Sequence, residues 1–319
     1  MCTTCGCAGD GQVLYTDPAT GKQMAISSGG RPRAPAAVAA GNLRYVRYEP
    51  RAHDHSHSQP TALPHAHALP HLQASSMASN AAVHSHRHDS GNDAIAALSI
   101  DRPSHTIALE QQILAKNQAL AELNRAWFTT HSILALNLMS SPGSGKTTLL
   151  ERTIRDIGGE LSIQVIEGDQ ATLRDAERIR ATGARVIQIN TGTGCHLEAD
   201  MLQRGLEQLQ PPRGSLVMIE NVGNLVCPAL FDLGERAKVV ILSVTEGEDK
   251  PIKYPHMFRA SEVMLLNKID LLPHLQYDIE RCIACAREVN PDIKVLRVSA
   301  TTGEGMEAWY AWLRSQAAP

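Results

Sequence analysis

From Ile133 onward, short apolar runs alternate with stretches whose apolar residues recur every three to four positions. The runs Ile133–Met139, Ile163–Glu167, Arg185–Ile189, Ser215–Ile219, Val239–Val244, Val263–Asn267 and Lys294–Val298 read as strands. Helical patterns lie between most of them, including Tyr277–Val289, and a final one covers Gly305–Arg314. This alternation predicts an α/β fold, a mostly parallel sheet covered by helices on both faces. Such sheets bind ligands just beyond the carboxyl ends of their strands. Upstream, Ile107, Ile113, Leu114, Leu120, Leu123 and Trp127 recur at helical spacing, so Thr106–Phe128 predicts one amphipathic helix. Residues 1–100 sustain neither period and are dominated by Gly, Pro, Ser, Ala and His, which predicts disorder. The expected organisation is a cysteine motif at 1–10, a disordered His-rich region at 11–104, and a folded domain with an N-terminal helix at 105–319.

Composition narrows the partners. The chain has 319 residues and 43% hydrophobic content, enough for a sizeable core. Formal net charge is −3 with no long basic block, which argues against nucleic acid, because neutralising phosphates needs clustered Lys and Arg. No apolar run reaches the ~18 residues of a spanning helix, so no membrane role is expected. The start, MCTTCGCAGDG, has neither a basic nor an apolar signal region. Seven cysteines, an odd number spaced as for metal ligation, fit a reducing cytoplasm.

The first chemistry-bearing segment is Ser140-Ser141-Pro142-Gly143-Ser144-Gly145-Lys146-Thr147-Thr148, between an apolar strand and a helical pattern. Strand, Gly-rich loop ending in Gly-Lys-Thr, and helix make a phosphate-binding loop. Backbone N–H groups and the helix N-terminus suit phosphates; Lys146 reaches the β- and γ-phosphates and Thr147 ligates Mg²⁺. The pattern's opening glycine is here Ser140. A second segment, Asn267-Lys268-Ile269-Asp270, ends another strand and resembles the guanine-reading NKxD motif of GTPases. A carboxylate at Asp270 accepts two hydrogen bonds from guanine N1–H and the 2-amino group, a donor pair adenine lacks. Lys268 lays its stem over the base. Ser299-Ala300 resembles the short loop that closes over guanine.

Two acidic motifs follow strands at the same sheet end. Glu167-Gly168-Asp169 offers Asp169 as a Mg²⁺-linked switch residue, and Glu220-Asn221-Val222-Gly223 offers Glu220 for the metal–water shell and Gly223 as an N–H donor to the γ-phosphate. The alternative reading is that either carboxylate merely caps a following helix. No Gln follows Gly223 to orient an attacking water, so slow intrinsic hydrolysis is expected.

Metal ligands form a further set. Cys195-His196 ends the loop TGTGCHLEAD and is expected to open a helix, and Cys227 lies four residues past Gly223. Thiolate and imidazole suit Zn²⁺ or Ni²⁺. Three ligands per chain leave room for a site shared in a dimer. Cys2, Cys5 and Cys7 form C-x-x-C-G-C, able to wrap one thiophilic ion without a prebuilt fold; a disulfide or an unstructured tag is the alternative. Nine of the fourteen His lie between His53 and His88 and suit several divalent ions. Cys282 and Cys285, i,i+3 on one helical pattern, read as packing residues.

Taken together, SSPGSGKTTLL, EGDQAT, NTGTGCHL, ENVGNLVCP and NKID resemble the HypB family of hydrogenase nickel-incorporation GTPases, from Thr106 to the C-terminus and at the extreme N-terminus. The resemblance implies a SIMIBI-group GTPase that dimerises with nucleotide and delivers Ni²⁺ during [NiFe]-hydrogenase maturation. It implies GTP contacts at Gly143, Ser144, Gly145, Lys146, Thr147, Thr148, Asn267, Lys268, Asp270, Ser299 and Ala300, and Mg²⁺ at Thr147 and Asp169. It implies a regulatory Ni or Zn site at Cys195, His196 and Cys227, a high-affinity nickel site at Cys2, Cys5 and Cys7, and nickel storage in the His tract. Implied partners are a zinc-containing nickel chaperone, HypA, and a hydrogenase large-subunit precursor. The related UreG family of urease accessory GTPases, or a non-enzymatic nickel store, remain as alternatives.

Overall fold

The computed structural model describes residues 13–26, 102–170 and 172–317, with 102–110 described as backbone. Cys2, Cys5, Cys7 and the tract from His53 to His88 lie outside the described residues. In chain order the elements are β1 (Val13–Asp17), β2 (Lys22–Ile26), α1 (Arg102–Thr130), β3 (Leu134–Ser140), α2 (Lys146–Ile157), β4 (Ile163–Asp169) and α3 (Arg174–Arg180). There follow β5 (Arg185–Asn190), α4 (Ala199–Leu209), β6 (Leu216–Glu220), α5 (Cys227–Leu230), β7 (Ala237–Ser243), α6 (Lys250–Lys253) and α7 (Pro255–Ala260). The chain closes with β8 (Val263–Asn267), a 3-10 turn (Ile269–His274), α8 (Ile279–Val289), β9 (Lys294–Arg297) and α9 (Met306–Ala317).

Among the described residues the strands form one sheet in the order β2-β1-β5-β4-β6-β3-β7-β8-β9. From β5 to β9 every neighbouring pair is parallel, as the βα alternation predicts. Each strand's two-residue period divides its side chains between the sheet faces. Leu136 and Leu138 of β3, with Val239 and Ile241 of β7, pack under Leu149, Leu150 and Ile154 of α2 and Trp309 and Leu313 of α9. Ala135 and Ile219 face the other way, towards Phe128 of α1 and Leu202 and Leu206 of α4. Met139, Val240 and Met264 meet Met257, Phe258 and Cys282 on that second side. Trp309, fully buried, also donates its indole N–H to Thr153 Oγ1 at 3.0 Å, which fixes α9 over α2. No helix among the described residues is long and apolar enough to cross a membrane.

Two expectations need correction. First, residues 13–26 fall within the stretch expected to be disordered, yet they form a hairpin whose strand β1 adds antiparallel to the edge strand β5. Tyr15, 1% exposed, provides the apolar anchor, and its hydroxyl is held protonated by burial. The turn is made by Asp17, whose carbonyl accepts the N–H of Gly21 at 2.8 Å, with Gly21 at φ 67°. Second, α1 forms, but its buried face is not the expected leucine stripe. Asn117, Ala121, Asn124 and Phe128 face inward, while Leu114 is 38% and Leu123 59% exposed. The buried residues are spaced i, i+4, i+7, i+11, one face of a helix, and the two asparagines are tolerated there because loop backbone satisfies them.

Candidate functional site

The predicted site residues among the described ones gather at the carboxyl edge of the sheet. β3 ends at Ser140 and α2 begins at Lys146, so the loop between them crosses that edge in five residues. Gly143 (φ 77°) and Gly145 (φ 96°) adopt left-handed conformations that only glycine takes without strain. At Gly145 there is a second constraint: a Cβ there would stand 2.6 Å from Asn267 Nδ2. Asn267 donates to Ser144 O at 2.9 Å and Lys268 donates to Gly143 O at 2.7 Å. The Ala300 N–H in turn donates to Asn267 Oδ1 at 3.2 Å, and Ser299 Oγ donates to Asp270 Oδ1 at 2.5 Å. The two motifs, more than a hundred residues apart in sequence, are thus one hydrogen-bonded unit.

Lys146 is buried and donates to Ser140 Oγ at 2.9 Å; burial pushes its ammonium pKa down, against the nearby carboxylate of Glu220. Thr147 donates to Glu220 Oε1 at 2.7 Å. Thr148 turns instead towards α3, where its hydroxyl accepts from Arg178 at 3.1 Å. Gly223 lies against the phosphate loop, and a Cβ on it would meet Pro142 Cα at 3.1 Å.

The carboxylates are arranged differently from expectation. Glu167 of β4 pairs directly with Glu220 of β6, and each has one buried carboxylate oxygen without a hydrogen-bond partner among the described residues. Burial raises both pKa values: Glu220 to about 6, against the opposing pull of the Lys146 ammonium and the Thr147 hydrogen bond, and Glu167 well above its usual range, with Glu220 and Asp169 adding to the rise. Orphaned buried oxygens of this kind suit a divalent cation and its water. Asp169 sits at the rim, where its Oδ2 accepts from the Thr172 N–H at 3.0 Å and the Thr172 hydroxyl at 2.9 Å. It caps the turn into α3, while Glu167, which was not singled out from sequence, stands beside Glu220. Because Glu220 must be ionised to hold a cation, Mg²⁺ affinity should fall about tenfold per pH unit below pH about 6. A Mg²⁺ titration of the nucleotide-free protein between pH 5 and 7.5 checks this, and a flat profile would contradict it.

Glu246 was also missed. Its carboxylate takes the hydroxyls of Ser141 and Ser144, the latter at 2.7 Å, and accepts the Ser243 N–H at 3.0 Å. Both serine hydroxyls of the loop are thereby tied to the segment that follows β7.

Cys195, His196 and Cys227 come together. Their ligand atoms all lie within 4.8 Å of one another and all three residues are buried. Among the described residues this is the one such group of three. Cys195 and His196 precede α4, which starts at Ala199, so they lie in its lead-in loop rather than opening the helix. Cys227 is the first residue of α5. The His196 ring packs on Phe231, with centroids 4.0 Å apart. Its Nε2 is buried without a hydrogen-bond partner, Glu198 Oε1 being 3.8 Å away. Burial lowers the imidazole pKa to about 4, so it is neutral and ligand-ready at ordinary pH. Two thiols and a neutral imidazole fit a borderline-soft divalent ion and leave a coordination position open. Cys282 is buried in the α8 core, its thiol pKa raised by that burial, and it stands apart from this cluster.

The α1 helix grips both ligand-bearing loops. Asn117 accepts the Ala199 N–H at 2.9 Å and donates to Asp232 O at 2.7 Å. Asn124 donates to Ala199 O at 2.9 Å and to Leu233 O at 3.0 Å. Those backbone groups lie four to six residues beyond Cys195 and Cys227.

Residues 134–297 match the family model of the CobW/HypB/UreG nucleotide-binding domain. Hydrogenase maturation factor HypB of Azotobacter chroococcum is 62% identical over 213 residues, which covers 67% of this chain and 70% of that protein. HypB of Escherichia coli K12 is 59% identical over 210 residues, 66% of this chain and 72% of that one. A crystal structure of HypB from Helicobacter pylori in complex with nickel is similar at a TM-score of 0.60 and 35% identity, over 63% of this chain and 95% of that one.

Proposed function

This chain belongs to the HypB family of hydrogenase maturation factors, GTPases with a CobW/HypB/UreG nucleotide-binding domain, and on that premise we propose that its GTP state gates a nickel site made by Cys195, His196 and Cys227. The observation that carries this reading is the cluster of three buried ligands whose third member lies four residues past Gly223, which itself abuts the phosphate loop. The nickel complex of the Helicobacter pylori relative supports the choice of ion; Zn²⁺ suits the same donors.

In this reading the N–H groups of residues 143–148 and the Lys146 ammonium hold the phosphates. Thr147 and Glu220 would hold Mg²⁺, with Asp169 joining from the rim as the loop closes, and the ion would supply charge neutralisation for the phosphates. Gly223 offers its N–H to the γ-phosphate. Asp270 selects guanine, with Lys268 over the base and Ser299-Ala300 closing behind it. Ni²⁺ is cargo, taken from a zinc-containing chaperone of the HypA type and passed towards a hydrogenase large-subunit precursor in the cytoplasm, with the nucleotide-bound chain acting as a homodimer. The Cys2, Cys5 and Cys7 motif at 1–10 supplies a second nickel site and the His-rich stretch within 11–104 a store, while the hairpin at 13–26 completes the sheet of the 105–319 domain.

Titration with Ni²⁺ tests the site. In the full chain carrying Cys2→Ser, Cys5→Ser and Cys7→Ser, thiolate-to-nickel absorbance is expected to saturate at one Ni²⁺ per chain, or one per two chains if the site is shared. Adding Cys195→Ser should remove that absorbance, and its persistence would refute the assignment.

A further inference from the structure

The nucleotide carboxylate Glu220 and the ligand His196 are on different loops, yet one side chain holds the backbone next to each. Asn221 follows Glu220 directly, and its residue is 1% exposed. Its Oδ1 accepts the N–H of Leu197, the residue after His196, at 3.1 Å. The same oxygen accepts the N–H of Val222, the residue before Gly223, at 3.0 Å. Its Nδ2 donates to Asn137 Oδ1 at 3.2 Å, and its backbone N–H donates to Leu138 O at 3.1 Å. Asn137 is itself fully buried and tied to Glu235 Oε1 at 3.1 Å. The carboxamide is therefore held from behind by β3 and cannot swing freely.

Leu197 is confined on its other side as well. A Cβ on Gly168 would stand 2.8 Å from Leu197 Cγ, so the side chain after His196 fills the space that the Glu167-Gly168-Asp169 motif leaves open. The Leu197 peptide thus lies between the two acidic motifs, bonded to one and packed on the other.

We propose that Asn221 is the coupling residue: its carboxamide passes movement of the Glu220–Gly223 segment to the His196–Leu197 peptide, and so to the metal ligands. When Gly223 shifts towards a γ-phosphate, Val222 N–H shifts with it. The shared Oδ1 then has to follow Val222 or lose it, and in either case its bond to Leu197 N–H changes. Leu197 is fully buried and Val222 is 6% exposed, so neither amide N–H is placed to exchange a lost partner for solvent, and the two loops move together. Asn221 provides the physical link, and the Glu220–Gly223 segment is the element that would take one arrangement with each nucleotide state. Cys227, farther along the same segment, supplies a covalent route to one ligand; Asn221 supplies the route to the other two. The proposal rests on the reading that nucleotide state gates the nickel site.

The test is the ratio of Ni²⁺ dissociation constants with GDP and with a non-hydrolysable GTP analogue, measured with the metal alone on the full chain carrying the three N-terminal Cys→Ser changes. That chain should show a ratio in the range of about 5 to 150, in either direction. Asn221→Ala should bring the ratio to within about twofold of unity while Ni²⁺ still binds in both states. Asn221→Asp, which keeps an acceptor for both N–H groups but loses the Nδ2 donor to Asn137, should give a ratio between those of the unaltered chain and Asn221→Ala. An unchanged ratio in Asn221→Ala overturns the proposal and leaves the gating reading standing. Loss of Ni²⁺ binding in every state also overturns it, since that marks a purely structural role. A ratio of unity before Asn221 is altered refutes the gating reading itself. If Asn221→Ala does not fold, Asn137→Ala, which removes only the rear anchor, must still lower the ratio at least about twofold; no change there overturns the proposal.

Discussion

Lys146→Ala is expected to reduce GTP hydrolysis by about 10²–10³-fold in kcat, equivalent to about 3–4 kcal/mol of lost transition-state stabilisation. The ammonium is buried beside the phosphate cradle and anchored to Ser140 Oγ at 2.9 Å. It is therefore aimed before substrate arrives, and its interaction with developing phosphate charge requires no reorganisation. The fold should survive, because the core of the domain is built from the aliphatic strands and the α2 and α9 packing rather than from this side chain. Single-turnover hydrolysis by the purified variant, with circular dichroism as the folding control, measures the effect. Nickel binding at Cys2, Cys5 and Cys7 should be unaffected, and loss of both activities would show that the two sites are not separable.

Asp270→Ala is expected to weaken GTP binding by about 10²–10⁴-fold and bring GTP and ATP affinities to within about tenfold of each other. In the structure the carboxylate is prepositioned by the Ser299 hydroxyl, and Asn267 fixes the same segment against the phosphate loop. Removing the carboxylate leaves two guanine donors unpaired in a closed site, which costs more than the bonds themselves would gain. Competition of GTP, ITP and ATP against a fluorescent guanine nucleotide gives the measurement. ITP, which lacks the 2-amino group, should lose affinity on the unmodified protein but not on the variant. Retained discrimination in Asp270→Ala would move guanine recognition elsewhere.

The strands of the parallel sheet and the phosphate and guanine motifs were legible in sequence because each rests on a local rule. Buried parallel strands are continuous apolar runs, and glycine positions in the loop follow from left-handed backbone at Gly143 and Gly145. What was not legible depends on contacts between distant residues. The stripe of leucines in α1 suggested an apolar face, whereas Asn117 and Asn124 make the inward one, because their partners are backbone groups of loops seventy and more residues later. No period in the helix itself encodes that. Glu246 gives no signal either, since an acidic residue in a polar turn is ordinary until the fold brings Ser141 and Ser144 to it. The position of Glu167 beside Glu220 is not legible before β4 and β6 are paired, since only that pairing puts the two carboxylates on one line. The hairpin carries a readable sign: the β-favouring run Val13-Leu14-Tyr15-Thr16, then Asp17-Pro18 and Gly21, is a strand followed by turn residues. It was masked by the biased composition of the residues around it.

In the gating reading one segment, Glu220 to Cys227, answers to the nucleotide at one end and to nickel at the other. Linkage makes this testable from either side, because an effect of nucleotide on Ni²⁺ affinity must appear as an equal effect of Ni²⁺ on nucleotide affinity. The most direct measurement is the GDP dissociation constant and that of a non-hydrolysable GTP analogue, each with and without Ni²⁺ at a concentration that saturates Cys195, His196 and Cys227. Ni²⁺ is expected to shift the two nucleotide affinities unequally, by about fivefold or more. Equal affinities with and without Ni²⁺, for both nucleotides, would contradict it.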